Sequence, residues 1–309
     1  MIAIAVIRLR DLFAVIILFG IYSLLTAALF MDLNAVDVAF TEAAVGAGVT
    51  TVMMLSSLYL TSRWEATPKH NSLLPLLVVC ITGAVLVYAS LDAPLHGDPS
   101  SPVHQHVAPR YIEKGPAEVG MPNMVTAVLA SYRGFDTFGE TFVIFTAGLG
   151  VLLLLGIQKP HKPQPELNTV ANEVVLKVVV KMLIPLILLY ALYVQFHGDF
   201  GAGGGFQAGV IFSTGFILYH LAFGEIEARR VIPTCWLPRL AALGVLIYGG
   251  VGVFALLEDK PFLDYSALAD DPVQGQHLGV LLVEFGVGIT VFSVILLIFH
   301  ILAGRSRQS

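Results

Sequence analysis

The sequence predicts an all-α, multi-pass transmembrane protein of about eight spanning helices, and three observations carry that prediction. Hydrophobic residues fill 56% of the 309 positions and charged residues only 13%, against roughly 25% charged in a soluble domain. Mean hydropathy is +0.81. The apolar residues are gathered into runs close to the roughly 20 residues that a helix needs to cross a bilayer. These runs place spans at about 11–31, 35–61, 73–91, 136–157, 174–196, 203–224, 237–257 and 277–302.

Proline-rich breaks divide the spans into three blocks, 1–70, 71–160 and 161–309. The first holds a close helix pair joined through Asp32, Leu33 and Asn34. The second begins after Pro68 and contains a long polar loop, 92–121. The third follows Lys159-Pro160-His161-Lys162-Pro163-Gln164-Pro165, a linker that cannot continue a helix. Before the fourth span, Val125, Val128, Leu129 and Tyr132 recur at helical spacing, which predicts a short interfacial or re-entrant helix.

Loop charges orient the chain. With the N-terminus inside, Arg8, Arg10, Arg63, Lys69, Lys159, Lys162, Arg229, Arg230, Arg239, Arg305 and Arg307 fall on the cytoplasmic side. Only Arg110, Lys114, Arg133 and Lys260 fall outside. Both termini are therefore expected in the cytoplasm. The N-terminal run lacks the small-residue cleavage site of a signal peptide.

Several functions are excluded by composition. The net charge of −5, with no basic run, argues against nucleic-acid binding. Two cysteines, Cys80 and Cys235, offer neither a disulfide framework nor metal spacing. His104 and His106 lack a third ligand nearby, so no metal site is expected there. No haem or iron–sulfur ligand set is present in the sequence, and no cofactor is expected.

The glycine-rich stretch from His197 to Val210 joins two apolar runs with almost no side-chain bulk. Gly201, Gly203, Gly204 and Gly205 permit backbone angles closed to other residues. Gly205 and Gly209, four apart, leave a smooth strip for close approach of another helix. A phosphate cradle is a poor fit, because the sixth position from Gly201 is Phe206 and the flanking segments read as membrane helices.

Ionisable groups inside spans are costly and informative. Glu42 and Glu284 each lie about 10 Å into their spans, the second and the last, at 1.5 Å rise per residue. Glu140 shares a face of the fourth span with Asp136. In the expected orientation all three glutamates occupy the outer half of the bilayer, and Glu42 and Glu284 are the leading candidates for an ion or proton path. Asp37 and Asp136 sit near helix N-termini, where capping or dipole pairing is the plainer reading. Glu173, Lys177 and Lys181 form an i, i+4, i+8 stripe in the inner half, Lys177 snorkelling to the headgroups and Lys181 lying deeper. His220 and His300, near span ends, read as ordinary interfacial residues, His220 standing with Lys181, Asp37 and Asp136 as a further candidate for the path.

At these residues the chain resembles a known family. HGDFGAGGGFQAGVI (197–211) and LLVEFGVGITV (281–291) resemble the MnhB-type component of the Mrp (Mnh) multisubunit cation/proton antiporters, a likeness covering roughly 166–309. AVDVAFTEAAVGAG (35–48) and PNMVTAVLASYRGFDTFGE (122–140) resemble two small modules that in many such systems end the MnhA-type component. The same modules are similar to small subunits of membrane-bound hydrogenases and, more distantly, of respiratory complex I. The resemblance implies an inner-membrane component of a bacterial antiporter exchanging Na⁺ for H⁺, working with large antiporter-like subunits. It implies an outer route through Glu42, Glu140 and Glu284, with Lys181 as a positive neighbour that biases ionisation. A purely structural assembly role, and membership of a redox-driven complex, are the alternatives. Only Met1 to Ile7 precede Arg8-Leu9-Arg10, where the first module usually has a further helix. A neighbouring subunit is expected to complete that bundle.

Overall fold

The computed structural model describes residues 1–66, 73–95, 97–156 and 174–305. Eight helices among them are long and apolar enough to cross a membrane. They are α1 (Leu12–Asp32), α2 (Val36–Tyr59), α3 (Leu73–Leu91), α4 (Gly134–Leu155), α5 (Val174–His197), α6 (Gly205–Phe223), α7 (Leu237–Leu257) and α8 (Pro272–Arg305). Each lies within a few residues of the span expected from hydropathy. The Pro/Lys linker, Glu173, Lys69 and Arg307 lie outside the described residues.

The centre of the bundle is α8, packed between α6 and α7 and touching α4 and α2. Small residues allow this. A Cβ on Gly244 of α7 would collide with the carbonyl of Gly286 on α8, and one on Gly286 would sit 2.7 Å from the carbonyl of Gly244. Two backbones thus meet at matched glycines, the close approach by which membrane helices gain packing energy without a hydrophobic drive. Thr290 Oγ1 reinforces the seam, donating to Gly286 O at 2.9 Å and to Ala241 O at 3.4 Å. At the opposite extreme, α3 has no buried residue, so its apolar surface is turned entirely outward from the described chain.

The α1–α2 pair is closed at the end away from Asp32. Leu12 N donates to Arg63 O at 2.9 Å, Glu65 N to Arg10 O at 3.0 Å, and Arg63 pairs with Asp11 at 2.6 Å. That pairing holds the Asp11 carboxyl below the usual carboxylate range. A short helix, Ile2–Arg8, precedes α1. Midway along α2 the helix widens to a π-helix over Ala43–Thr50, where Gly46 and Gly48 sit.

The segment expected as a polar loop is more ordered than its composition implies. It forms helices at Pro102–Gln105 and Val107–Glu118, so His104 lies in a helix. The expected short helix follows at Met124–Thr126 and continues as a π-helix over Ala127–Tyr132. Glu118 accepts hydrogen bonds from Tyr132 Oη and from Arg110, clamping the outer helix onto the π-helix. Burial, together with the bond to Glu118, pushes the Tyr132 phenol up to about 12.

Candidate functional site

The glycine turn between α5 and α6 is held in shape from outside. Asn123 Nδ2 donates to Gly198 O at 3.0 Å and to Gly201 O at 2.9 Å, and Thr126 Oγ1 donates to Gly198 O at 2.7 Å. The backbone N–H of Asn123 donates to Asp199 O at 3.0 Å. A segment rich in small and amide side chains thus satisfies the carbonyls that a turn without regular structure leaves open. Gly204 takes φ +122, a conformation strained for any residue bearing a Cβ.

Against this turn stands Glu284. Ideal Cβ positions on Gly198 and Gly204 fall 3.1 Å from its Oε2 and Oε1, so the bare glycine backbone lies close against the carboxylate. Gly205 faces the Glu284 backbone carbonyl, and Gly209 faces Gly288 O with 2.6 Å to a built Cβ. The expected smooth strip on α6 is therefore the seat of α8.

Glu284 lines a cavity of about 490 Å³ together with Asp37, Thr41, Glu140, Thr126 and Gln207. Asp37 caps no helix: Ala35 holds the N-cap position, and Asp37 Oδ1 instead accepts from Gly203 N at 3.3 Å. Gln207 Nε2 donates to Thr41 Oγ1 at 2.9 Å, tying α6 to α2. Glu140 is exposed and stands at the rim. Three carboxylates from three blocks of the sequence thus line one cavity, with threonine hydroxyls, an amide and the glycine backbone beside them.

The other candidates lie elsewhere. Glu42 turns toward α1: the Cβ position on Gly46 is 2.6 Å from Glu42 Oε1 and 2.7 Å from Ser23 Oγ, and Glu42 does not line the cavity. One residue beyond Thr41 is a rotation of about 100° on a helix, which suffices to move it off this wall. Asp136 pairs with Arg133 in the first turn of α4. Lys181 is exposed, its ammonium 5.7 Å from the Phe223 ring. It stands 16 residues before His197, about 24 Å along the axis, so it neighbours none of the cavity carboxylates. His220 and His300 are near span ends but turned inward. Their rings are 5.3 Å apart, and both are buried beside the Arg229–Glu225 ion pair and Thr234.

Thr41, Asn123, Thr126, Gln207, Asp199 and His277 were not singled out in the sequence. The Asn-x-x-Thr spacing of Asn123 and Thr126 offered a signal, as a polar pair opening an apolar helix.

Comparisons with known proteins identify the family. A family described as a domain related to the MnhB subunit of Na⁺/H⁺ antiporter matches residues 175–297. The MbhD and MbhE families, both described as components of MBH, match 1–63 and 73–172. The putative antiporter subunit mnhB2 of Staphylococcus aureus (strain Newman) is 35% identical over 136 residues, covering 43% of this chain and 96% of that protein. The chain belongs to the MnhB family. This MnhB-family chain is also 27% identical to the probable K⁺/H⁺ antiporter A/B protein of Rhizobium meliloti (strain 1021), across 96% of its own length and 32% of that protein. It thus spans about a third of that relative. Among solved structures, the Mrp complex from Dietzia sp. DQ12-45-1b matches at TM-score 0.78 and 27% identity, over 99% of the MnhB-family chain and 34% of the matched chain. An archaeal respiratory complex, the membrane-bound sulfane sulfur reductase, matches at TM-score 0.58 and 27% identity, over 74% of this chain and 96% of the other.

Proposed function

We propose that this chain is a membrane subunit of a multisubunit Na⁺/H⁺ antiporter of a bacterial cytoplasmic membrane, and that the cavity at Glu284 is part of its ion and proton path. The observation that carries the reading is the Glu284 carboxylate seated on the glycine turn, in one cavity with Asp37 and Glu140. A hard cation prefers oxygen ligands, and the few polar groups on this largely apolar wall are carboxylates, hydroxyls and an amide. A carboxylate holds either a proton or a cation, which is the competition that exchange requires. Intramembrane acids that line a wet cavity fit such a path better than a dry scaffold. The loop charges put both termini inside and the glycine turn toward the outer face. The large antiporter-like subunits that move ions in this family are the expected partners, and the outward surface of α3 offers them area. Transport belongs to the assembly.

Substitution of Glu284 tests this. Glu284→Gln keeps size and most hydrogen bonding but cannot ionise, so Na⁺-driven pH change in vesicles, normalised to assembled complex, should fall about a hundredfold or more, the low end for loss of a proton-transferring group. Glu284→Asp keeps the charge and should retain part of the activity. Full activity in Glu284→Gln leaves assembly as this subunit's role. The match to the sulfane sulfur reductase supports a second reading, membership of a redox-driven complex. Purification with redox subunits and no antiporter subunits would favour it.

A further inference from the structure

We infer that protons reach Glu284 by a second route, through His277 and Asp199, on the side of the glycine turn away from the cavity. The inference rests on the reading of Glu284 as an ion-path residue.

Asp199 follows Gly198, the residue pressed against Glu284 Oε2. Its side chain faces His277 of α8, Oδ2 to Nδ1 at 3.5 Å. His277 and Glu284 are seven residues apart on α8, so they share a face about 10 Å apart along the axis. The ring is held on its far side by the turn at Gly120, whose Cβ position lies 3.4 Å from Nε2. The start of α8 is fixed nearby, with Ser131 Oγ donating to Gln276 Oε1 at 2.7 Å. The side chains of His277 and Asp199 are 38% and 22% exposed, so the pair reaches water while its base touches the turn. Neither lines the cavity that holds Asp37 and Glu140.

The chemistry separates the two approaches. Imidazole carries protons near neutral pH and is a poor partner for a hard cation, whereas the cavity sets the carboxylates of Asp37, Glu140 and Glu284 into an otherwise largely apolar wall. In the relay a proton from outer water adds at Nε2 of His277, and the Nδ1 proton passes to the Asp199 carboxylate. The ring is left neutral and resets its tautomer by exchange with water. Asp199 passes its proton through a water beside Gly198 to the Glu284 carboxylate and returns to its anion. Sodium meets Glu284 from the cavity side, so the proton and the cation do not compete for one entrance.

The test uses the intact complex in membrane vesicles and two readouts, Na⁺-driven pH change and ²²Na⁺/Na⁺ exchange. His277→Gln and Asp199→Asn should each lower the first about a hundredfold and leave the second within about twofold. Imidazole added outside should restore part of the antiport lost in His277→Ala, since a diffusible base can replace a proton carrier but cannot repair a structural contact. Parallel loss of Na⁺/Na⁺ exchange without imidazole rescue assigns His277 to holding the turn and overturns the relay. Normal antiport in both variants, with Glu284→Gln inactive, overturns the relay alone. Full antiport in Glu284→Gln overturns the reading of Glu284, and the relay with it.

Discussion

Gly205 of α6 lies against the backbone carbonyl of Glu284 on α8, so closely that a Cβ at Gly205 would overlap it. The carboxylate of the same glutamate faces Gly198 and Gly204, so one residue is pinned by main chain on one side and left free to bind on the other.

Gly205→Ala is therefore expected to be more damaging than its size suggests. Backbone cannot yield as the end of a side chain can, and overpacking typically costs about 1–3 kcal/mol. Gly205→Ala and Gly209→Ala should lower the yield of assembled complex, and Gly139→Ala, which meets nothing within 4 Å, should not. Thermal stability of the purified complex for the three variants checks this.

Asn123→Ala removes two bonds to the turn carbonyls, each worth about 1 kcal/mol net. The turn should loosen while the spans stay packed. Hydrogen exchange should rise across 198–204 and stay unchanged in α7, and antiport should fall without loss of assembly. Equal exchange in variant and parent would mean that Thr126 and the Asn123 backbone N–H hold the turn without the amide.

Lys181 and Glu42 lie off the cavity wall, which separates them from Glu284. Lys181→Gln should change antiport less than about threefold, as befits an exposed cation. Glu42→Gln should act mainly at the α1–α2 seam, where both its carboxylate and Ser23 lie beside Gly46, lowering stability more than transport per assembled complex. A loss of transport in Lys181→Gln equal to that in Glu284→Gln would mean that the two are coupled through another component of the complex.

The topology gives a fourth expectation. In a Cys80→Ser background, the native Cys235 should react with a membrane-impermeant thiol reagent from the cytoplasmic side, and a cysteine placed at Ser100 from the outside. Both residues are at exposed positions for this purpose. Labelling from one side only contradicts the eight-span arrangement.

Glu118 is held below the usual carboxylate range, first by the Tyr132 hydroxyl and then by Arg110 and Lys114. A depressed folded value means the contact contributes above the ordinary carboxylate pKa and is lost as pH falls through the folded value. The outer helix should thus stay docked at mildly acidic pH and release at lower pH. Tyr132→Phe should move that release upward, as read by hydrogen exchange over 107–118 at stepped pH.

What the sequence by itself determined is the membrane architecture. Hydrocarbon thickness sets the length of an apolar run, and eight runs of that length could be read directly, with ends close to those of the helices. The glycine strip was legible for a similar reason, since a missing side chain permits close approach whatever the partner. What only the tertiary structure decided is which acids meet. Asp37 and Gly203 are 166 residues apart, and no local pattern links them. Thr41 lines the cavity while Glu42 does not, a choice set by how α2 rotates against α1 and α6. Lys181 and Glu284 share a bundle but not a level within it. Hydropathy measures depth along one helix, whereas a site is made by the rotation and register of several, and those are set by packing against residues far away in the chain.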